Sequence, residues 1–222
     1  LAVENSPLKG RKVLITGGPT AERIDPVRFI SNFSTGKMAF AMADEAARRG
    51  AEVTVVAGPT VAVPADSRVR VVRVESALEM LDACRREFPA SDVAVMCAAV
   101  ADYRVANPAS AKIKREGHEP PHLELVANPD IAATLGAEKR PGQILVGFAL
   151  ETDNGPANAM GKMERKNLDM VVLNSLADKG AGFSTDTNRV SIFRRGVVEP
   201  LVFPLKPKTE VAADILNVIE TL

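Results

Sequence analysis

Lys162 and Lys166 stand four residues apart in AMGKMERKNLDM, a spacing that puts both ammonium groups on one face of a helix, with Arg165 beside them. Like charges so placed repel by roughly 0.2–0.5 kcal/mol. A bound anion would turn that repulsion into attraction, whereas a solvated helix face would only tolerate it. Lys112 and Lys114 in AKIKRE add two more cations, and Asp102 closely follows an apolar run. Gly17 and Gly18 end the first apolar run, and Ser34-Thr35-Gly36-Lys37 precede an alanine-rich stretch. A hydroxyl at such a position caps a helix, and the free N–H groups of the first turn attract phosphate. Asn128-Pro129-Asp130 offers a second helix start of this kind, with Ile131 opening the helix. These residue types suit charge stabilisation on a phosphate leaving group, not a protein nucleophile.

The elements that must position them alternate along the chain. Short, continuous apolar runs at residues 12–16, 52–57, 69–74, 92–98, 144–148 and 170–173 read as strands covered on both faces. Between them, residues 37–49, 77–88, 131–138 and 157–166 have helical spacing, the first ending in Arg48-Arg49-Gly50. The pattern predicts an α/β fold with a doubly wound, mostly parallel Rossmann-like sheet in a single domain over residues 1–222. Residues 100–121, rich in Pro, Lys and small side chains, predict a flap spanning 101–121. Residues 189–203 read as a late β-hairpin, and 209–222 as a closing helix. Residues 1–11 look linker-like, so the chain reads as a piece of something longer.

Composition narrows the class. Among 222 residues, 28 Lys and Arg balance 28 Asp and Glu, so no global field draws the protein to nucleic acid or an acidic membrane. The longest apolar run, residues 93–101, is too short for a bilayer, and Cys84 and Cys97 show no disulfide or zinc spacing. A cytoplasmic protein with no membrane and no nucleic-acid partner is expected. His118 and His122 flank Pro120-Pro121 and cannot share a helix face, so they predict no metal site.

Two nucleotide motifs fit poorly. A dinucleotide fingerprint needs its third glycine close behind the first two, yet Gly36 lies eighteen residues after Gly18, and no acid ends the second strand. A P-loop needs a glycine where Ser31 stands and a hydroxyl where Met38 stands. An NAD(P)-dependent Rossmann-type reductase and a non-catalytic nucleotide-binding module nevertheless remain the alternatives to a phosphate-transferring enzyme.

The blocks ITGGPTAERIDPVRFISNFSTGKMAFAMA, CAAVADYR, KIK, NPDI, GFALET and KMERKNLDMVVLN, in that order across about Val13 to Asn174, resemble phosphopantothenoylcysteine synthetase. In bacteria this is the synthetase domain of a bifunctional decarboxylase/synthetase of coenzyme A biosynthesis. The resemblance implies a ligase that joins 4′-phosphopantothenate to L-cysteine. CTP with Mg2+ activates the carboxylate as an acyl-cytidylate, pyrophosphate leaves, and the cysteine amine displaces CMP.

It also implies roles. Met96, Cys97, Ala98 and Asp102 would contact CTP, Asp102 near the base; Lys112 would reach the nucleotide from the flap as a catalytic group. Asn128, Pro129, Asp130, Ile131 and Phe148 would line the CTP pocket, and Lys162 and Lys166 would bind it. Gly17, Gly18, Ser34 and Gly36 would supply phosphate-binding groups to CTP, and Asn32 would hold phosphopantothenate and the intermediate. The long insertion would separate the two glycine elements and bring Asn32 beside them. Phe33 and Thr35 depart from the His and Ser common in relatives; Thr35 keeps the hydroxyl. The family implies a homodimer with residues 189–203 at or near the contact. It also implies fusion to an amino-terminal flavin-dependent decarboxylase, with no FMN in this part, and the side chain holding Mg2+ stays open.

Overall fold

The β-branched runs form the strands of one sheet in which side chains alternate between two apolar layers. In the computed structural model, which describes residues 5–115, 120–151, 155–175 and 184–222, eight strands make up this sheet. They are β1 (Lys12–Gly17), β2 (Glu52–Ala57), β3 (Arg70–Arg73), β4 (Val93–Met96), β5 (Ile144–Glu151), β6 (Met170–Ser175), β7 (Val190–Arg194) and β8 (Leu201–Val202). Their order is β8-β7-β6-β5-β4-β1-β2-β3. The six from β3 to β6 pair in parallel, and β7 and β8 add antiparallel strands at one edge. Chain order reverses between β1 and β4, which opens a crevice at the carboxyl ends of these strands, where such sheets place ligands.

The two layers divide the helices. Val13, Ile15, Val55, Val95 and Val146 face α1 (Lys37–Arg48) and α5 (Lys208–Ile219). Leu14, Val56, Ala94, Leu145 and Val171 face α2 (Ala77–Glu87), α3 (Ile131–Glu138) and α4 (Gly155–Arg165). Each large side chain so buried contributes about 1.5–3 kcal/mol. Ser76 caps α2 by accepting from the Glu79 N–H at 3.2 Å, and Gly50, at φ 85°, ends α1. Buried Arg49 ties α1 to α5 through Asn217 at 2.8 Å and Glu220 at 3.0 Å.

Two expectations change. The lead-in is held down within its described part: Leu8 is buried in the core, the Ser6 hydroxyl donates to Glu220, and the Gly10 N–H donates to Gly50 O. The predicted flap starts as structure, because Tyr103–Val105 pairs antiparallel with Leu125–Ala127 and makes a ribbon. Its residues 116–119, including His118, lie outside the described residues. Among the described residues, no helix is long and apolar enough to cross a membrane.

Candidate active site

The loop from β1 to α1 folds back on itself. Gly18 (φ 77°) and Gly36 (φ 76°) both take the left-handed conformation that favours glycine, and a Cβ on Gly36 would lie 3.4 Å from the Gly18 nitrogen. The seventeen residues between them therefore bring the two glycine elements together; the expected separation is wrong. Thr60 seals the junction by donating from its hydroxyl to Thr35 O at 2.6 Å. Gly36 itself is the N-cap of α1, and among the described residues no side chain caps that helix, so the expected Ser34 or Thr35 cap does not form. Gly17 packs against α1, where an added Cβ would stand 2.5 Å from Ala39 Cβ.

Asn32 crosses from this loop to the end of β4. Its amide donates to Ala99 O at 2.6 Å, and its Oδ1 accepts from the Ser34 N–H at 3.0 Å. Both side-chain ends are thus fixed. Neighbouring Phe33 is 87% exposed and contributes nothing to the wall.

Two cavities open at the carboxyl end of the sheet, one over each layer. The first, about 120 Å³, is lined by Gly18, Ser34, Gly36, Lys37, Cys97, Phe148, Asn174, Asn188 and Lys208, among others. The second, about 370 Å³, is lined by Met96, Asp102, Asn128, Pro129, Asp130, Ile131, Lys162 and Lys166, among others. Ala98 and Phe148 belong to both walls. The residues expected to bind CTP are therefore divided: Gly18, Ser34, Gly36 and Cys97 stand on the first cavity, the rest of the wall residues on the second. Gly17, Asn32 and Lys112 stand on neither wall, Lys112 exposed on the flap.

Cations in the second cavity are already engaged. Lys166 pairs with Asp130 at 2.6 Å, and Lys162 donates to Phe148 O at 2.7 Å, so the expected repulsion between them is relieved by separate partners. Asp130 also caps α3, accepting from the Ala133 N–H at 3.0 Å. Burial opposes its ionisation, but the hydrogen bonds from Lys166 and Ala133 outweigh it and hold the carboxyl below its usual range. Asn128 fixes the opposite rim, donating to Ala101 O at 2.8 Å and to buried Glu22 at 3.2 Å. Glu22 also accepts from the Ala77 N–H at 2.8 Å and so joins the first loop to α2.

Position within the sequence gave no sign of a clamp between that loop and the flap. Asp25, buried, accepts from the N–H groups of Val27 and Arg28 at 2.8 Å each and from the Ile113 N–H at 3.1 Å. Arg28 donates to Asp25 and, at 2.9 Å, to Ile113 O. The Ile113 residue, between Lys112 and Lys114, is thus gripped at both its N–H and its carbonyl. The Arg28 guanidinium holds the Asp25 carboxyl well below the usual carboxylate range, with the backbone N–H groups adding to it against the cost of burial. Asn174, Asn188 and Lys208 on the first wall were likewise missed.

Among the described residues, no group of three or more His, Cys, Asp or Glu could hold a metal ion. His122 is exposed. The Cys97 thiol is pushed up to about 12 by burial, partly offset by Lys208, which makes it an unreactive neutral group at ordinary pH.

Residues 8–222 match the family described as the DNA/pantothenate metabolism flavoprotein C-terminal domain. A relative from an unknown prokaryotic organism, named cysteine/cysteine sulfinic acid decarboxylase, is 50% identical over 99% of this chain and 61% of its own length. The coenzyme A biosynthesis bifunctional protein CoaBC of Haemophilus influenzae is 44% identical over 97% of this chain and 53% of its own. The chain thus spans between about half and three fifths of these curated relatives. The crystal structure of the C-terminal domain of a CoaBC protein superposes with a TM-score of 0.81 at 41% identity, covering 96% of each chain. With 215 consecutive residues matched and the same α/β architecture throughout, the chain belongs to the DNA/pantothenate metabolism flavoprotein C-terminal domain family.

Proposed function

We propose that this chain is a CTP-dependent phosphopantothenate–cysteine ligase of coenzyme A biosynthesis. The observation that carries the reading is the pair of cavities sharing Ala98 and Phe148, one suited to a nucleotide and one to a second phosphorylated substrate. A reaction joining the two substrates needs their reacting atoms held together at such a shared wall. The 41%-identical domain of a CoaBC protein supports the same assignment.

In this reading the nucleotide lies in the second cavity, with Asp102 near the base and Lys162 and Lys166 on the phosphates. The substrate carboxylate attacks the α-phosphorus, the bond to pyrophosphate breaks, and an acyl-cytidylate forms. The cysteine amine then attacks the acyl carbon, gives up a proton, and CMP leaves. Lys162, Lys166 and Lys112 offset charge on departing pyrophosphate, and Asn32 orients the acyl group from the β4 side. Asp102 and Asp130 offer two carboxylates but no ready-made cage, which fits Mg2+ arriving on the triphosphate; there it would neutralise phosphate charge. Gly18, Ser34 and Gly36 serve the other substrate, not the nucleotide.

The partial coverage of the bifunctional relatives supports a full-length protein in which an amino-terminal flavin-dependent decarboxylase precedes this domain, FMN residing there. The decarboxylase name on the 50%-identical relative fits the same arrangement, since over a third of that protein lies outside the match. A homodimer joined near residues 189–203 fits the exposed Val198 and Val202 at the β8 edge, and the cytoplasm fits the substrates.

The test mixes protein, CTP, Mg2+, phosphopantothenate and cysteine and follows pyrophosphate and the ligated product. Release that depends on phosphopantothenate, and product that depends on cysteine, are expected. Release with neither substrate, or none at all from folded protein, overturns the reading.

A further inference from the structure

Lys166 reaches the second cavity from one residue past the end of α4. Whatever holds the backbone there therefore sets where its ammonium stands. The next residue, Asn167, takes φ 53°, and among the described residues it is the one non-glycine with a positive φ. Asparagine tolerates that left-handed conformation because its short amide can bond locally, whereas in other residues the Cβ crowds the following carbonyl oxygen uncompensated.

The amide of Asn167 bonds to two other elements. Its Nδ2 donates to Gly136 O on α3 at 2.9 Å, and its Oδ1 accepts from Arg195 Nη2, just past β7, at 3.0 Å. Its carbonyl accepts from Lys139 Nζ at 2.9 Å, and its N–H donates to Glu164 O at 3.2 Å. Arg195 is itself anchored, donating twice to Leu168 O at 2.8 and 3.0 Å. The residue behind Lys166 is thus tied to α3, α4 and the end of β7 at once.

Helix α3 meets Lys166 at two places. Gly136 leaves room for its carbonyl, since a Cβ there would lie 1.8 Å from Lys166 O, and Asp130 takes its Nζ at 2.6 Å. Residues 130 and 136 are separated by about 9 Å along a helix axis, so the lysine runs from a root at one end of α3 to a tip at the other. Its side chain is only 19% exposed. A misplacement of about 1 Å at a group that holds a reacting ligand can cost about 100-fold in rate.

We propose that Asn167 is a positioning residue for the nucleotide: its left-handed turn and its amide bridge from Gly136 to Arg195 fix the root of Lys166, so that the ammonium is presented to a polyphosphate in the second cavity. The proposal rests on the ligase reading for the identity of the ligand, whereas the turn and its bonds stand without it.

The test is a double-mutant cycle of Asn167→Gly with Lys166→Met, read as CTP affinity by calorimetry. Glycine keeps the left-handed turn and removes the amide alone. Asn167→Gly should weaken CTP about 10-fold when Lys166 is present and less than about twofold in the Lys166→Met background, with phosphopantothenate affinity unchanged in both. Asn167→Asp keeps the turn and the acceptor for Arg195 but sets a carboxylate oxygen against Gly136 O, so it should behave as Asn167→Gly does, and it takes its place in the cycle should the glycine variant not fold. Equal weakening in the two backgrounds would mark a merely structural residue and overturns the proposal, as does unchanged CTP affinity in folded Asn167→Gly. Coupling between the two residues without pyrophosphate release from wild type would refute the ligase reading alone, and release without coupling would refute the proposal alone.

Discussion

The two cavities differ in how their charges are held before any ligand arrives. In the second, Lys162 in the last turn of α4 and Lys166 just past its end already have a carbonyl and a carboxylate as partners. In the first, the cations come from opposite ends of the chain, Lys37 at α1 and Lys208 at α5, and no carboxylate stands on the described wall. A nucleotide entering the second cavity must displace Asp130 from Lys166, so its binding is an exchange of partners. In the first, Lys37 pairs with Asp186 at 2.7 Å and Lys208 donates to Thr185 O, partners that come from the segment before β7 and not from the cavity wall. The difference teaches that the second cavity holds its cations with partners from its own wall, Asp130 and Phe148, while the first draws its cations and their partners from distant parts of the chain.

Lys162→Met should break the comparison hardest if it is wrong. Loss of a cation that acts on the leaving group should lower kcat/KM for CTP about 100- to 1000-fold, with phosphopantothenate affinity measured by calorimetry unchanged. A drop in phosphopantothenate affinity of similar size would merge the two cavities into one site. Two glycines pack tightly behind residues of these cavities, Gly136 against Lys166 and Gly58 against the loop that follows Gly18. A Cβ on Gly136 would stand 1.8 Å from Lys166 O, and one on Gly58 would stand 1.7 Å from Pro19 O, both backbone atoms. Either alanine should therefore destabilise the fold by about 1–3 kcal/mol, read from urea unfolding. In the protein that still folds, Gly136→Ala should weaken CTP and Gly58→Ala should weaken phosphopantothenate.

Much of the second cavity was legible because its signals are local. The spacing of Lys162 and Lys166 and the Asp130 cap are local: Asp130 caps α3 as the sequence implies, while α4 ends at Arg165, one residue short of Lys166, whose N–H still donates to Lys162 O at 3.1 Å. The parallel sheet was legible for the same reason, its continuous apolar runs matching six strands. The first cavity was not. Asn188 and Lys208 reach Gly36 only because β7 turns back antiparallel on β6 and α5 then packs against α1, and no short-range pattern encodes that return. The missing cap on α1 had a local clue that misled: two hydroxyls precede Gly36, but the left-handed glycine takes the N-cap position itself.

A smaller effect is expected at the clamp that joins the loop of the first cavity to the flap. Asp25→Asn removes the charge that grips Arg28 while keeping a similar shape, and should lower kcat about tenfold through misplacement of Lys112. The folded Asp25 carboxyl titrates below its unfolded value of about 3.9. Its contribution to stability is therefore complete above that value and is lost as pH falls through the lower folded one. Limited trypsin cleavage after exposed Lys112 and Lys114 should quicken in Asp25→Asn at neutral pH, and in wild type only in strong acid if an acid-active protease replaces trypsin. Unchanged cleavage together with unchanged kcat would detach the flap from the first loop.

The smallest effect is at Cys97, and it sharpens the boundary between the cavities most directly. Family resemblance assigns Cys97 to CTP, yet it stands on the first wall and not the second. With its thiol pushed up to about 12, Cys97 should alkylate about 1000-fold more slowly at pH 8 than a free cysteine, because the thiolate fraction falls by that order. Its slow labelling, followed by peptide mapping to separate it from buried Cys84, should be blocked by phosphopantothenate and little changed by CTP. Protection by CTP alone would move the nucleotide across Ala98 and Phe148 into the first cavity and return Gly18, Ser34 and Gly36 to it. Cys97→Ala should alter kcat less than about threefold, since a neutral thiol at that wall supplies no charge to either step.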